Sequence, residues 1–262
     1  MRWLAASLLA PAAIGAGAIG CGDDDDDGGG SASADSARLV VSAAASMTEA
    51  LEACAPEFDG DEGVDVRLSF AGSDELAAQI RQGVKPDVYA AANTRLPDEL
   101  YDEDLIEKPV EFATNEFVLA VPADSAIASV DDLTEEGVKL VIGSESVPIG
   151  AYTRETLGKL PPDQEKAILD NVRSNEPDVK GIVGKLTQGA ADAGFVYVTD
   201  VNATGDELEA IELPAELEPN VTYGAAVVKG AKQPEKGQAF VDGLTEGPCA
   251  DALQEAGFGP AP

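Results

Sequence analysis

Two serines stand where a strand gives way to a helix. Ser46 ends the run SAAAS and is followed by Met47, Leu51 and Cys54 at helical spacing; Ser73 ends FAGS and precedes DELAAQI. A helix start offers unpaired backbone N–H groups and partial positive charge, and a serine hydroxyl there adds a donor, so the chemistry these positions suit is the holding of an anion. Two further segments have the same character, SVPIGAY at 146–152 and EPDVKG at 176–181. A fifth, GFVYVTD at 194–200, puts Tyr197 near the end of a strand with a phenolic donor.

Each piece alone has a local explanation. Ser46 with Glu49 reads S-x-x-E, a capping box, and Ser73 before Asp74 and Glu75 reads as an N-cap. Ile149 and Val179 fit as core or helix-start residues, and a strand tyrosine packs its ring and bonds locally. The functional reading rests on the set, because in an open α/β sheet ligands bind beyond the carboxyl ends of the strands, where helix N-termini converge.

The elements that would position these residues follow from the hydropathy pattern. Short Val-, Leu- and Ile-rich runs alternate with amphipathic stretches from Arg38 onward, the pattern of βαβ units around a parallel sheet. Strands are expected at 39–43, 64–70, 87–92, 116–121, 139–144, 192–198, 208–213 and 222–228. Helices are expected at 46–58, 73–82, 96–104, 130–136, 150–159, 162–172, 178–188, 235–245 and 248–256. At 262 residues the chain can bury one large core or two modest ones, and two lobes are expected.

Charge and composition exclude several roles. With 49 acidic residues, 17 basic and no histidine, the net charge is -32, which opposes binding to nucleic acid or to an anionic membrane surface. A hydrophobic content of 44% separates the chain from disordered acidic proteins. Hydrolysis lacks a histidine base and a G-x-S-x-G elbow, and a resident zinc ion lacks ligand spacing, so neither an enzyme nor a cofactor is expected. A surface-adhesion role would leave repeats or an apolar patch, and the sequence has neither.

The first twenty residues, one arginine and an apolar Ala- and Gly-rich run, have the outline of an export signal. AIGC at 18–21 resembles the lipobox of bacterial lipoproteins, which would make Cys21 the lipidated first residue of the mature chain. Residues 21–37 then read as that cysteine and a flexible acidic tether, GDDDDDGGGSASADSA, holding the folded part at the outer face of the cell membrane.

Taken in order, AAASMTEAL, FAGSDELAAQI, PDVYAAAN, ESVPIGAYTRETL, DVKGIVGKL, DAGFVYVTD and LTEGPCADALQEAGF resemble the molybdate-binding proteins that feed ABC transporters. The resemblance implies a two-lobed periplasmic-binding-protein fold of the type II kind, each lobe a mixed, mainly parallel sheet flanked by helices. Lobe 1 would comprise 38–118 with 226–262 and lobe 2 119–225, joined by the crossing strands EFVLAV and TYGAAVV. It implies a monomer that clamps molybdate or tungstate between the lobes and delivers it to a permease, with sulfate or another small anion as the alternative ligand. Carried over residue by residue, the ligand set is Ser46, Ser73, Ile149, Val179 and Tyr197. Ile149 stands where the family more often has Ala, and Asp74 and Glu75 stand where it tends to have neutral residues. The family packs its C-terminal helix back onto lobe 1, which implies a Cys54–Cys249 disulfide in an exported chain; two buried free thiols are the other reading.

Overall fold

The computed structural model describes residues 37–262, so the expectations for the export signal, Cys21 and the tether lie outside the described residues. The chain opens with β1 (Ala37–Ala44), a 3-10 turn (Ala45–Met47), α1 (Thr48–Glu62), β2 (Val64–Ala71), α2 (Ser73–Arg81), β3 (Val88–Ala91) and α3 (Arg95–Asp102). Two consecutive strands follow, β4 (Val110–Asn115) and β5 (Phe117–Pro122). Next come β6 (Leu140–Gly143), α4 (Pro148–Leu157), α5 (Pro162–Asp170), β7 (Val172–Glu176), α6 (Val179–Thr187), β8 (Ala193–Tyr197), α7 (Val198–Asn202) and β9 (Leu208–Ile211). The chain closes with β10 (Val221–Val227), α8 (Pro234–Gly243), α9 (Pro248–Ala256) and β11 (Gly259–Pro260).

Two mixed sheets result. The first has the order β11-β4-β10-β3-β1-β2 and the second β7-β6-β8-β5-β9. In the first, β1 runs parallel to β2 and β3, while β10 is antiparallel to β3 and β4. In the second, β6 is parallel to β7 and β8, and β5 is antiparallel to β8 and β9. The central strands β3, β6 and β8 are buried along their whole length, as strands covered by helices on each side must be, while the parallel edge strands β2 and β7 carry polar residues.

The chain changes sheets at Glu116, between β4 and β5, and returns between β9 and β10. EFVLAV therefore contributes β5 to the second sheet, and TYGAAVV lies wholly in the first. Residues 221–225, grouped with lobe 2 by the sequence reading, pair with β3 and β4 of lobe 1. The expected helix at 130–136 is a 3-10 turn, Asp131–Thr134, buried through Leu133 alone. Two strands had no clear apolar signal: β4 (VEFATN) has polar Glu111, Thr114 and Asn115 and only the short apolar pair Phe112–Ala113 in its middle, and β7 (VRSNE) is an edge strand whose exposed polar side chains suit a sheet border.

Cys54 on α1 and Cys249 on α9 form a disulfide with Cα atoms 4.9 Å apart. Phe58 packs edge-on against Phe240 of α8 at 5.1 Å, so the C-terminal helices are fastened to the first helix of lobe 1 by a covalent and an aromatic contact.

Candidate functional site

The carboxyl ends of β1, β2 and β3 in lobe 1 face those of β6, β7 and β8 in lobe 2. Between them lies a cavity of about 20 Å³ that includes Ala45, Ser46, Gly72, Ser73, Ile149, Asp178, Val179 and Tyr197 in its lining. All five residues expected at the site are there. A single water needs about 10–15 Å³, so the occupant of this space is small and compact, and a sugar, peptide or nucleotide does not fit the cleft as it stands. A larger hollow of about 320 Å³ beside Phe112, Leu253 and Phe258 has no converging helix starts.

Neither serine caps its helix. The capping box predicted for Ser46 and Glu49 is not formed: the residue before α1 is Met47, without a side-chain cap, and Ser46 Oγ lies 2.9 Å from the hydroxyl of Tyr223 on β10. A register shift between Tyr223 and Gly224 marks a bulge at this point of β10, a device that re-aims a side chain. Asn115, at the crossing between the sheets, fixes the direction of that bond. Its Oδ1 accepts from Glu116 N–H at 2.9 Å, so its amide nitrogen donates to Thr199 Oγ1 at 2.9 Å and to Tyr223 OH at 3.3 Å. Tyr223 then gives its own proton to Ser46 Oγ, and the Ser46 proton is left for the cavity.

Ser73 arrives at the same condition by another route. Gly72 occupies the cap position of α2, and Ser73 Oγ accepts from Ala92 N–H at 3.1 Å, which leaves its proton free as well. Tyr89 on β3 donates to Ser73 C=O at 2.8 Å and holds the turn. Ile149 and Val179 are the second and first residues of α4 and α6, positions whose N–H groups have no partner within their helix. At α4 the approach to β6 is so close that a Cβ on Gly150 would stand 1.8 Å from Ser144 O, which is why the VPIG turn needs glycine there. Arg154 braces the same turn from behind, donating to Gly143 O at 3.0 Å and Gly150 O at 2.9 Å.

Tyr197 ends β8 completely buried, and its hydroxyl has no hydrogen-bond partner among the described residues. Burial holds its pKa well above the usual tyrosine value, so it stays a donor. A buried hydroxyl left unpaired costs about 1–3 kcal/mol, and such a group in a cavity lining points to a ligand.

Among the described residues the lining contains no lysine or arginine. Its one carboxylate, Asp178, caps α6 by accepting from Gly181 N–H at 2.9 Å. Asp74 and Glu75 are not among the lining residues; Glu75 accepts from Gln79 on the exposed face of α2. Sequence reasoning did not single out Tyr223, Asn115 or Thr199, and nothing local marks them, since they act on Ser46 from 177, 69 and 153 positions away.

The lobes touch at the rim of the cavity. A Cβ on Gly72 of lobe 1 would lie 2.4 Å from Pro177 O of lobe 2. Lys180 of α6 meets both oxygens of Glu49 of α1 at 2.8 Å.

Residues 39–259 match the model of the bacterial extracellular solute-binding proteins. The chain belongs to this family. The molybdate-binding protein ModA of Mycobacterium tuberculosis is 34% identical to it over 264 residues, covering 98% of this chain and 99% of the relative. A Bacillus subtilis protein named, provisionally, as an ABC transporter substrate-binding lipoprotein is 30% identical over 229 residues, 84% of this chain and 85% of its own. Among solved structures, the periplasmic molybdate-binding protein of Azotobacter vinelandii superposes with a TM-score of 0.75 over 84% of this chain and 98% of that one; at 20% identity it bears on the fold, which is the two-lobed one expected. The resemblance carried by the seven motifs thus extends over the whole folded chain. Like other members of the family the protein is exported.

Proposed function

We propose that the protein is the solute-binding component of an ABC transporter, that its solute is molybdate or the equally shaped tungstate, and that Ser46, Ser73, Ile149, Val179 and Tyr197 hold it. The observation that carries this reading is the Tyr197 hydroxyl, buried and unpaired in the lining of a cavity sized for one small ion. Around it stand two serine protons left free by their own acceptor bonds and the starts of four helical segments. Every one of these groups donates, which suits a dianion that carries no proton of its own. A ligand with a proton to give, such as phosphate at neutral pH, would leave it unpaired against them.

No lysine is needed in the lining, because neutral donors in a water-excluding cleft hold a charge without offering it a permanent counter-ion. About five charge-assisted bonds at about 1.5–3 kcal/mol each, less the costs of association and ordering, correspond to affinities between micromolar and nanomolar. Burial of the ion by both lobes gives the permease a closed form to recognise. Lipidation at Cys21, supported by the AIGC motif and the name of the Bacillus subtilis relative, would hold the protein at the outer membrane face within reach of that permease.

Calorimetry of the chain with molybdate, tungstate, sulfate and phosphate tests the assignment. Tight binding of the first two with weak or absent binding of phosphate is expected. Preference for sulfate over molybdate would reassign the solute within the same site, and binding of none of the four would overturn the reading.

A further inference from the structure

Three charged groups tie together the elements that carry the cavity's donors. Lys180, next to Val179 on α6, donates to both oxygens of Glu49 at 2.8 Å and lies 3.1 Å from Asp200 Oδ1. Glu49 is three residues beyond Ser46 on α1, and Asp200 three beyond Tyr197 on α7. Two of the three belong to lobe 2 and one to lobe 1.

The two arms of this triad differ. The Asp200 side chain is 0% exposed and neither of its oxygens has a partner of hydrogen-bond geometry among the described residues; burial pushes its carboxyl up to about 6, against the attraction of Lys180. The Glu49 side chain is 50% exposed at the cleft rim. Burial also disfavours the Lys180 ammonium, but Asp200 and Glu49 outweigh it and hold its pKa above the ordinary lysine value. At neutral pH Lys180 and Asp200 therefore face each other as a charged pair. Separating the lobes breaks the arm to Glu49 and leaves the arm to Asp200 intact, since Lys180 and Asp200 move together.

Resting on the oxyanion reading above, we propose that Lys180 is a positioning residue that latches the lobes over the bound ion, aimed by Asp200 within lobe 2 and caught by Glu49 on lobe 1. The latch exists only in the closed form, so it slows release of the ion and leaves capture by the open form unchanged.

Stopped-flow binding and release of molybdate by the full-length chain, for E49Q, K180M, K180R and the double variant E49Q/K180M, tests the latch. E49Q, a change at a half-exposed site that keeps the Lys180–Asp200 pair, should raise koff by about two- to tenfold with kon nearly unchanged. K180M should raise koff at least as much, the double variant no more than K180M, and K180R should restore a near-original koff. A pure field effect predicts opposite results for the two single variants, because E49Q removes a negative charge near the anion and K180M a positive one. If E49Q binds with an unchanged or slower koff, the latch is overturned while the oxyanion site stands. If the unaltered chain binds no oxyanion, the site assignment fails and the anion latch falls with it.

Discussion

Replacing Tyr197 by Phe removes one oxygen and keeps the ring. The ring packs among Tyr152 at 6.5 Å and Tyr223 at 6.0 Å, contacts that phenylalanine reproduces. The hydroxyl makes no bond to any of the described residues, so its loss breaks none there and relieves an unpaired buried group. Stability of the ligand-free protein should hold or rise by up to about 1 kcal/mol. Binding should move the other way: one charge-assisted bond to a dianion is lost, about 1.5–3 kcal/mol, which is roughly a tenfold to hundredfold weaker Kd for molybdate. Urea denaturation without ligand and calorimetry with it measure the two halves on the same preparation. Opposite signs are the mark of a ligand donor. A variant that loses stability while keeping its affinity would refute the reasoning, because it would mean the hydroxyl has a partner inside the protein and none in the cleft.

Two further outcomes follow from the geometry. In G72A the backbone is unstrained, at φ -59° and ψ 136°, yet the new methyl would lie 2.4 Å from Pro177 O, and ordinary contact requires the lobes to stand about 1 Å further apart. The variant should fold normally and bind molybdate roughly a hundredfold more weakly by calorimetry, since the donors of lobe 2 no longer reach; wild-type affinity would show that the lobes do not close this far. In C54S/C249S the crosslink spanning 195 positions is lost at a distance from the cavity, so the urea midpoint should fall by the equivalent of about 2–5 kcal/mol with oxyanion affinity unchanged, and an unmoved midpoint would mean that the pair does not form in the folded protein.

The parts of this protein legible in its sequence are those whose cause is local. LVVSA and DAGFVYV announce buried strands by composition, and the SVPIG and EPDVKG turns announce helix starts. VRSNE does not announce β7, because an edge strand facing water has no apolar signature. The serines show the limit most clearly: S-x-x-E at Ser46 describes a capping box that the fold declines. Tyr223 takes the Ser46 hydroxyl, Lys180 takes Glu49, and both come from far along the chain. The lobe boundary that the resemblance drew inside TYGAAVV is moved by partners far away in sequence: the segment is equally apolar on either side of the cleft, and its pairing with β3 and β4 assigns it to lobe 1.

The first sheet holds a consequence for how the chain comes to be folded. Its order, β11-β4-β10-β3-β1-β2, puts a strand from near the C-terminus in the middle of strands from the N-terminal half. The second sheet is drawn from one uninterrupted stretch, Phe117 to Ile211. A chain threaded across a membrane from its N-terminus can therefore complete lobe 2 while lobe 1 is still missing β10, with β3 and β4 exposing unpaired edges. Lobe 1 closes only when residues 221–227 emerge, and a contact so distant in sequence is slow to form. Cys249 follows 22 residues behind Val227, so the crosslink to Cys54 can seal the first lobe only after its sheet has a centre.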